Sequence, residues 1–136
     1  FIRRFLFVRF YLRIQTVLCS KGTLMSLPHA KSGDVVSLRP LGAQLAQTLP
    51  HAIVKGRRLE LIRTVLHAGK SVHEHKISGE MAILCIEGRL GVNAHGRRII
   101  LHPGELVYLE GDVLHAMDAE IDSSALLVLS RSEAQA

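Results

Sequence analysis

From Arg58 onward, apolar residues come in short runs separated by turn-forming stretches. RLELIRTVL, MAILCIEG, RLGVNA, RRIIL, ELVYL and SALLVLS are rich in Ile, Leu and Val, with HAGKS, NAHG, HPGE, EGD and AEIDS between them. Six such runs, spaced by roughly ten residues, predict the strands of a sandwich or barrel rather than alternating β and α units. Upstream, Leu41, Leu45 and Leu49 recur every four positions, with Pro40 before them and Pro50 after. That spacing predicts a short helix whose first turn suits Pro40 and which Pro50 stops. The pattern divides the chain into residues 1–24, an arm over 25–56 carrying the helix, and a β-barrel over 57–136. No internal repeat, low-complexity tract or long linker interrupts it.

Residues 1–24 differ from the rest in composition. All four Phe (Phe1, Phe5, Phe7 and Phe10) and Tyr11 lie in the first eleven residues, and Tyr108 is the only other aromatic. The segment FIRRFLFVRFYLRIQTVLCSKGTL is too interrupted by arginine to span a bilayer, its longest uncharged run being Ile14 to Ser20. Three readings stay open for this atypical basic leader. It is translated upstream of a true start at Met25 and not native to the domain, it is a targeting or membrane-surface helix, or it packs on the barrel.

Charge follows the same division. The formal charge of +5 over 136 residues invites a nucleic-acid reading. Five of the 17 basic residues, and no acid, fall in residues 1–24, which leaves 12 basic against 12 acidic side chains from residue 25 on. The folded part therefore has no bulk electrostatic attraction to phosphate or anionic lipid, and neither nucleic acid nor membrane is expected as a partner of residues 25–136. At 48% apolar and 21% charged, the composition is that of a globular domain with a real core. Cys19 and Cys85 make no disulfide framework, so a reducing cytoplasm is the default compartment.

The chemistry concentrates in SVHEHKISGEMAILCIEG, residues 71–88. Side chains alternate faces along a strand, so His73 and His75 are expected on one face with Glu74 on the other. Two neutral imidazoles on one face are half of a transition-metal site, although an isolated pair is also what two surface histidines look like. No Gly-rich phosphate loop, nucleophile elbow or Cys-x-x-Cys pair appears, which weighs against nucleotide binding and nucleophilic catalysis.

Further along, GELVYLEGDVLHA places His115 eleven residues after Gly104. With these residues the chain resembles the cupin superfamily, whose motifs have the forms G-x5-H-x-H-x3,4-E-x6-G and G-x5-P-x-G-x2-H-x3-N. LHAGKSVHEH, ILCIEGRLGVNAHGRRIILHPGELVYL and VLHAMDAEIDSSALLVL look like successive parts of a small single-domain cupin, over about residues 57–130. The resemblance implies an all-β double-stranded β-helix, or jelly-roll barrel, with a metal or organic ligand in its mouth. It carries His73 and His75 onto the histidines of the first motif and Gly88 onto its closing glycine. Gly104 falls on the opening glycine of the second motif and His115 on its histidine. The second motif's proline, glycine and asparagine are replaced by Glu110, Asp112 and Ala119.

The first motif also departs from the pattern. Counted forward from His75, Glu80 stands at the carboxylate ligand position; counted back from Gly88, Met81 does. On simple alternation Met81, Ile83 and Cys85 share one face and Glu80, Ala82, Leu84 and Ile86 the other. Glu80 then reaches the site only if the chain bulges near Gly79. The expected site is His73, His75 and His115 around a divalent metal (Zn, Fe, Ni, Mn or Cu) with water in the open positions, and Glu80 is a conditional fourth ligand. Three neutral histidines leave such a site at +2, where an added carboxylate would give +1, and the more positive site is the stronger Lewis acid. A metal-free barrel with an organic-ligand pocket is the alternative.

Four other residues are pocket candidates. Met81 and Cys85 are expected inside the barrel, Cys85 as a small buried apolar residue or, more sharply, a soft ligand. Tyr108 either packs in the core or hydrogen-bonds a pocket ligand. Arg63 either faces solvent, the favoured reading, or meets a carboxylate substrate. His67, His95 and His102 read as turn or surface residues. Three functions follow: a metal-dependent enzyme, dioxygenase-like or isomerase-like, acting on a small molecule; a small-molecule binding or sensing module without catalysis; and a self-associating scaffold. Whether the chain is an enzyme stays open, and a homodimer through the apolar strand SALLVLS is expected.

Overall fold

The computed structural model describes residues 28–131. The leader, Cys19 and Met25 lie outside the described residues. Among the described residues nine strands follow one another: β1 (His51–Lys55), β2 (Leu59–Leu66), β3 (Ser71–His75), β4 (Met81–Glu87), β5 (Leu90–Ala94), β6 (Arg97–Leu101), β7 (Leu106–Leu109), β8 (His115–Ala119) and β9 (Ser123–Ser130). They form two antiparallel sheets, ordered β1-β2-β9-β4-β7 and β3-β8-β5-β6. From β2 onward the chain changes sheet at almost every connection, the winding of a double-stranded β-helix. The fold is all-β, as the strand pattern predicts.

Alternation places the core. Ile62 and Leu66 of β2, Met81, Ile83 and Cys85 of β4, and Ala125, Leu127 and Leu129 of β9 point inward from the five-stranded sheet. They meet Leu90, Val92 and Ala94 of β5 and Met117 and Ala119 of β8 from the other sheet. Ile83, Leu127, Leu90 and Val92 are at most 1% exposed. Burying each such side chain contributes about 2 kcal/mol, which makes this interdigitated layer the main source of stability. The β5–β6 hairpin closes on His95 and Gly96, both at positive φ (53° and 71°), as a two-residue turn of the right twist requires.

Three expectations are corrected. The N-terminal α-helix is absent; Gly42–Gln47 forms a six-residue 3-10 helix in which only Leu45 is buried. Gly42 sits at φ 56° and no side chain caps the helix, so the leucine spacing lacks the start an α-helix needs. β1, β3 and β8 stand beyond the six apolar runs, because each is five residues long and interrupted by charged or histidine side chains. SALLVLS is not an edge strand: β9 pairs with β2 on one side and β4 on the other, and most of its side chains are buried.

The arm crosses the outer face of the five-stranded sheet. The Ala30 amide donates to the Ile53 carbonyl (2.8 Å), and Val36 and Leu38 line a groove of about 330 Å³ with Ile53, Leu61 and Leu126. No helix among the described residues is long and apolar enough to cross a membrane.

Candidate functional site

β3 and β8 pair antiparallel, with Val72 opposite Met117 and His75 opposite His115. Met117 faces the core, so Val72, His115 and His75 share that inward side. The register shifts by one residue between Val72 and His75, which leaves His73 and Glu74 together opposite Ala116 on the outward side. Strict alternation would have put His73 beside His75. The bulge cancels it, and His73 is exposed.

The two inward histidines are neighbours. Their ring centroids are 4.4 Å apart and the planes are tilted by 59°. His115 is 1% exposed, and His75 is half-buried. In each ring Nδ1 lies on a backbone carbonyl two residues earlier: His115 on Val113 (2.9 Å) and His75 on His73 (2.8 Å). A carbonyl oxygen only accepts, so Nδ1 carries the proton in both rings and the neutral form keeps its lone pair on Nε2. Burial pushes the His115 imidazole below its ordinary pKa, and the neighbouring His75 adds to that. Together they outweigh the Val113 bond, which acts in the opposite direction. His115 Nε2 is buried, with no hydrogen-bond partner among the described residues. Such an orphan acceptor costs about 1–3 kcal/mol unless something meets it.

Two short connections build this end of the barrel: residues 76–80 between β3 and β4, and 110–114 between β7 and β8. The Asp112 amide donates to the Ile77 carbonyl (2.7 Å) and ties them together. Gly111 packs so closely that a Cβ there would overlap the Ser78 carbonyl. Asp112 takes φ 63°, the left-handed conformation for which the resembled motif has glycine. Aspartate tolerates that region, so the substituted turn still delivers His115.

The remaining candidates scatter. Met81 and Cys85 are interior, 5% and 0% exposed. Met81 begins β4 at the histidine end, whereas Cys85 lies four residues further along, roughly 13 Å away down the strand. Burial raises the Cys85 thiol above its ordinary pKa, which suits packing rather than reactivity. Glu80 faces outward and accepts a hydrogen bond from the Tyr108 hydroxyl (3.0 Å). Gly79 lies against Ser130, where a Cβ would overlap the carbonyl. Glu80 is therefore not a ligand of the histidine pair. Tyr108 is neither core nor pocket: it pairs with Ala82 on the outer face and is 53% exposed. Among the described residues no group of three His, Cys, Asp or Glu side chains is placed to hold a metal ion. The structure brings His75 and His115 together and leaves His73 outside.

Arg63 overturns both of its readings. It is 5% exposed yet lies on the outer face of the five-stranded sheet, opposite Leu126 and beneath the arm. Its Nη2 donates to the Arg39 carbonyl (2.7 Å) and stands 3.8 Å from Glu87 Oε1. Glu87, unremarked in the sequence, accepts from the Leu41 amide (2.9 Å), the Gly42 amide (3.1 Å) and Ser124 Oγ (2.6 Å). Burial alone would raise its pKa; the hydrogen bonds from Ser124, Leu41 and Gly42, with the Arg63 charge, bring it below the ordinary value. The one sequence signal for this cluster is a charged residue within each of two apolar strands, and that signal does not say which face covers it.

No family model matches the chain, and no curated protein does. Solved structures do. A conserved protein of unknown function from Streptococcus pyogenes aligns at 16% identity and a TM-score of 0.63, over 82% of this chain and 99% of that one. A cupin superfamily protein from Desulfitobacterium hafniense aligns at 18% identity and a TM-score of 0.63, over 76% of this chain and all of that one. A glycine-to-alanine mutant of salicylate 1,2-dioxygenase from Pseudoaminobacter salicylatoxidans aligns at 18% identity and a TM-score of 0.56, over 59% of this chain and 25% of that one. At such identities a likeness speaks to fold and not to chemistry. The strand order, the packed interior and these likenesses agree: the chain is a small domain with the cupin fold.

Proposed function

We propose that this cupin-fold domain binds a transition-metal ion through Nε2 of His75 and His115, at the end of the barrel where β3 and β8 pair. The observation that carries the reading is the buried, partnerless Nε2 of His115, beside a second imidazole with the same tautomer. Carbonyl bonds to Nδ1 are how metal-ligating histidines are oriented. Zn, Fe, Ni, Mn and Cu all accept such donors, and a bound ion would supply Lewis acidity toward the oxygens of a small-molecule substrate. No Asp or Glu joins the pair among the described residues. With no carboxylate grouped with the pair among the described residues, the dioxygenase-like reading is preferred over an isomerase-like one that would use such a base.

The test is elemental analysis of the full chain, loaded with Zn(II) and desalted. Close to one equivalent should remain, be lost in His75→Ala and in His115→Ala, and persist in His73→Ala. Metal content indifferent to His75 and His115 overturns the proposal. That no third His, Cys, Asp or Glu joins the pair among the described residues favours a second reading, in which a neutral small molecule donates a hydrogen bond to His115 Nε2 without catalysis. A chain that retains no metal after loading supports that alternative.

A further inference from the structure

The metal reading leaves open which ion the pair selects, and the inward face of β4 bears on that. Met81 is the first residue of β4, 5% exposed, and opposes Leu109 and Leu129, all three side chains being part of the core. Residues 76–80 carry the chain directly from His75 to Met81, and residues 110–114 carry it from Leu109, opposite Met81, to His115. The Asp112 to Ile77 bond holds these two connections together. The thioether of Met81 therefore enters the barrel at the same end as the two imidazoles. The carboxylate one residue earlier, Glu80, faces away and is engaged by Tyr108.

The donors offered at this end are thus two neutral imidazole nitrogens and one thioether sulfur, with no anionic oxygen among them. Hard ions such as Mn(II) and Fe(II) draw much of their affinity from carboxylates. Thioether sulfur favours a soft, polarizable ion, and a neutral donor set in a buried site costs least for a singly charged one. Resting on the metal reading above, we infer that His75, His115 and Met81 form a soft three-donor site selective for Cu(I) over Mn(II), Fe(II) and Zn(II). Met117 is a less suitable donor: it follows His115 by two residues on the inward face, roughly 6.5 Å further down β8.

The experiment is an anaerobic Cu(I) competition against a chromophoric chelator, using the full chain with Cys19→Ser so that the leader thiol captures no copper. Met81→Leu preserves volume and apolar character, so the melting temperature serves as a folding control. The inference expects Met81→Leu to weaken Cu(I) binding at least tenfold while Zn(II) affinity changes less than twofold. Met117→Leu and Cys85→Ala should leave Cu(I) binding as it was. X-ray absorption of the Cu(I)-loaded chain should show one sulfur neighbour, lost in Met81→Leu. Equal Cu(I) affinity with and without Met81, or a sulfur neighbour that depends on Met117, overturns the inference and leaves the histidine pair standing. Loss of every metal's dependence on His75 and His115 is the separate failure of the metal reading.

Discussion

Two polar clusters are buried in this domain, on opposite sides of the five-stranded sheet, and they are satisfied to different degrees. Outside the barrel, Glu87 accepts three hydrogen bonds and faces Arg63, and between them they fasten residues 39–42 of the arm. Inside, His115 bonds a carbonyl through Nδ1, and its buried Nε2 has no partner among the described residues. Arg63 also leaves Nε without a partner, but its guanidinium is otherwise engaged with a carbonyl and a carboxylate. The difference separates a device for stability from the histidine pair proposed as a metal site. Buried polar groups that serve the fold are paired, and one that is not points to function.

The comparison breaks first at Glu87. Removing it strands the Arg63 charge beneath the arm, so Glu87→Ala should cost about 3 kcal/mol in denaturant unfolding. Acid should act on the same cluster. Because the folded-state pKa of Glu87 lies below its unfolded value, its contribution is full above the unfolded value of about 4.3 and fades as pH falls through the lower folded one. A series of denaturation midpoints should steepen downward below about pH 4.5 in the parent and less so in Glu87→Gln. The loop contact at the histidine end is next. Gly111→Ala forces a Cβ into the Ser78 carbonyl and should cost about 2 kcal/mol.

Then the contrast sharpens. His115→Leu removes a buried orphan acceptor and replaces it with apolar volume, so unfolding stability should stay within about 1 kcal/mol of the parent or rise. A loss as large as that of Glu87→Ala would make His115 a structural residue. The smallest effect belongs to Tyr108→Phe, where an exposed hydroxyl leaves Glu80 and no change in melting temperature is expected.

Much of the barrel was legible in sequence because period-two alternation is a strong local signal. MAILCIEG shows it plainly: Met81, Ile83 and Cys85 are inside as alternation requires, and Glu80 is outside. Where alternation fails, so does the reading. His73 looked equivalent to His75 because nothing in SVHEH announces the extra residue that turns it outward; the bulge is set by pairing with β8, far along the chain. Arg63 and Glu87 were opaque for a related reason. Each sits on an outward face that would be wet were the arm not folded over it, and covering of that kind is a tertiary fact. His115 reaches the barrel interior despite the departures in the second motif, since Asp112 adopts the turn that glycine would.

The central claim is that His75 and His115 bind a metal through Nε2. Long-range ¹⁵N–¹H correlation spectra of the histidine imidazoles, recorded on the metal-free chain and across a Zn(II) titration, read this directly. The account predicts the Nδ1–H tautomer for both rings before zinc, then a shift of both Nε2 resonances that saturates near one equivalent. A protonated Nε2 on neutral His115, or Nε2 resonances of the pair unmoved by zinc, would contradict it.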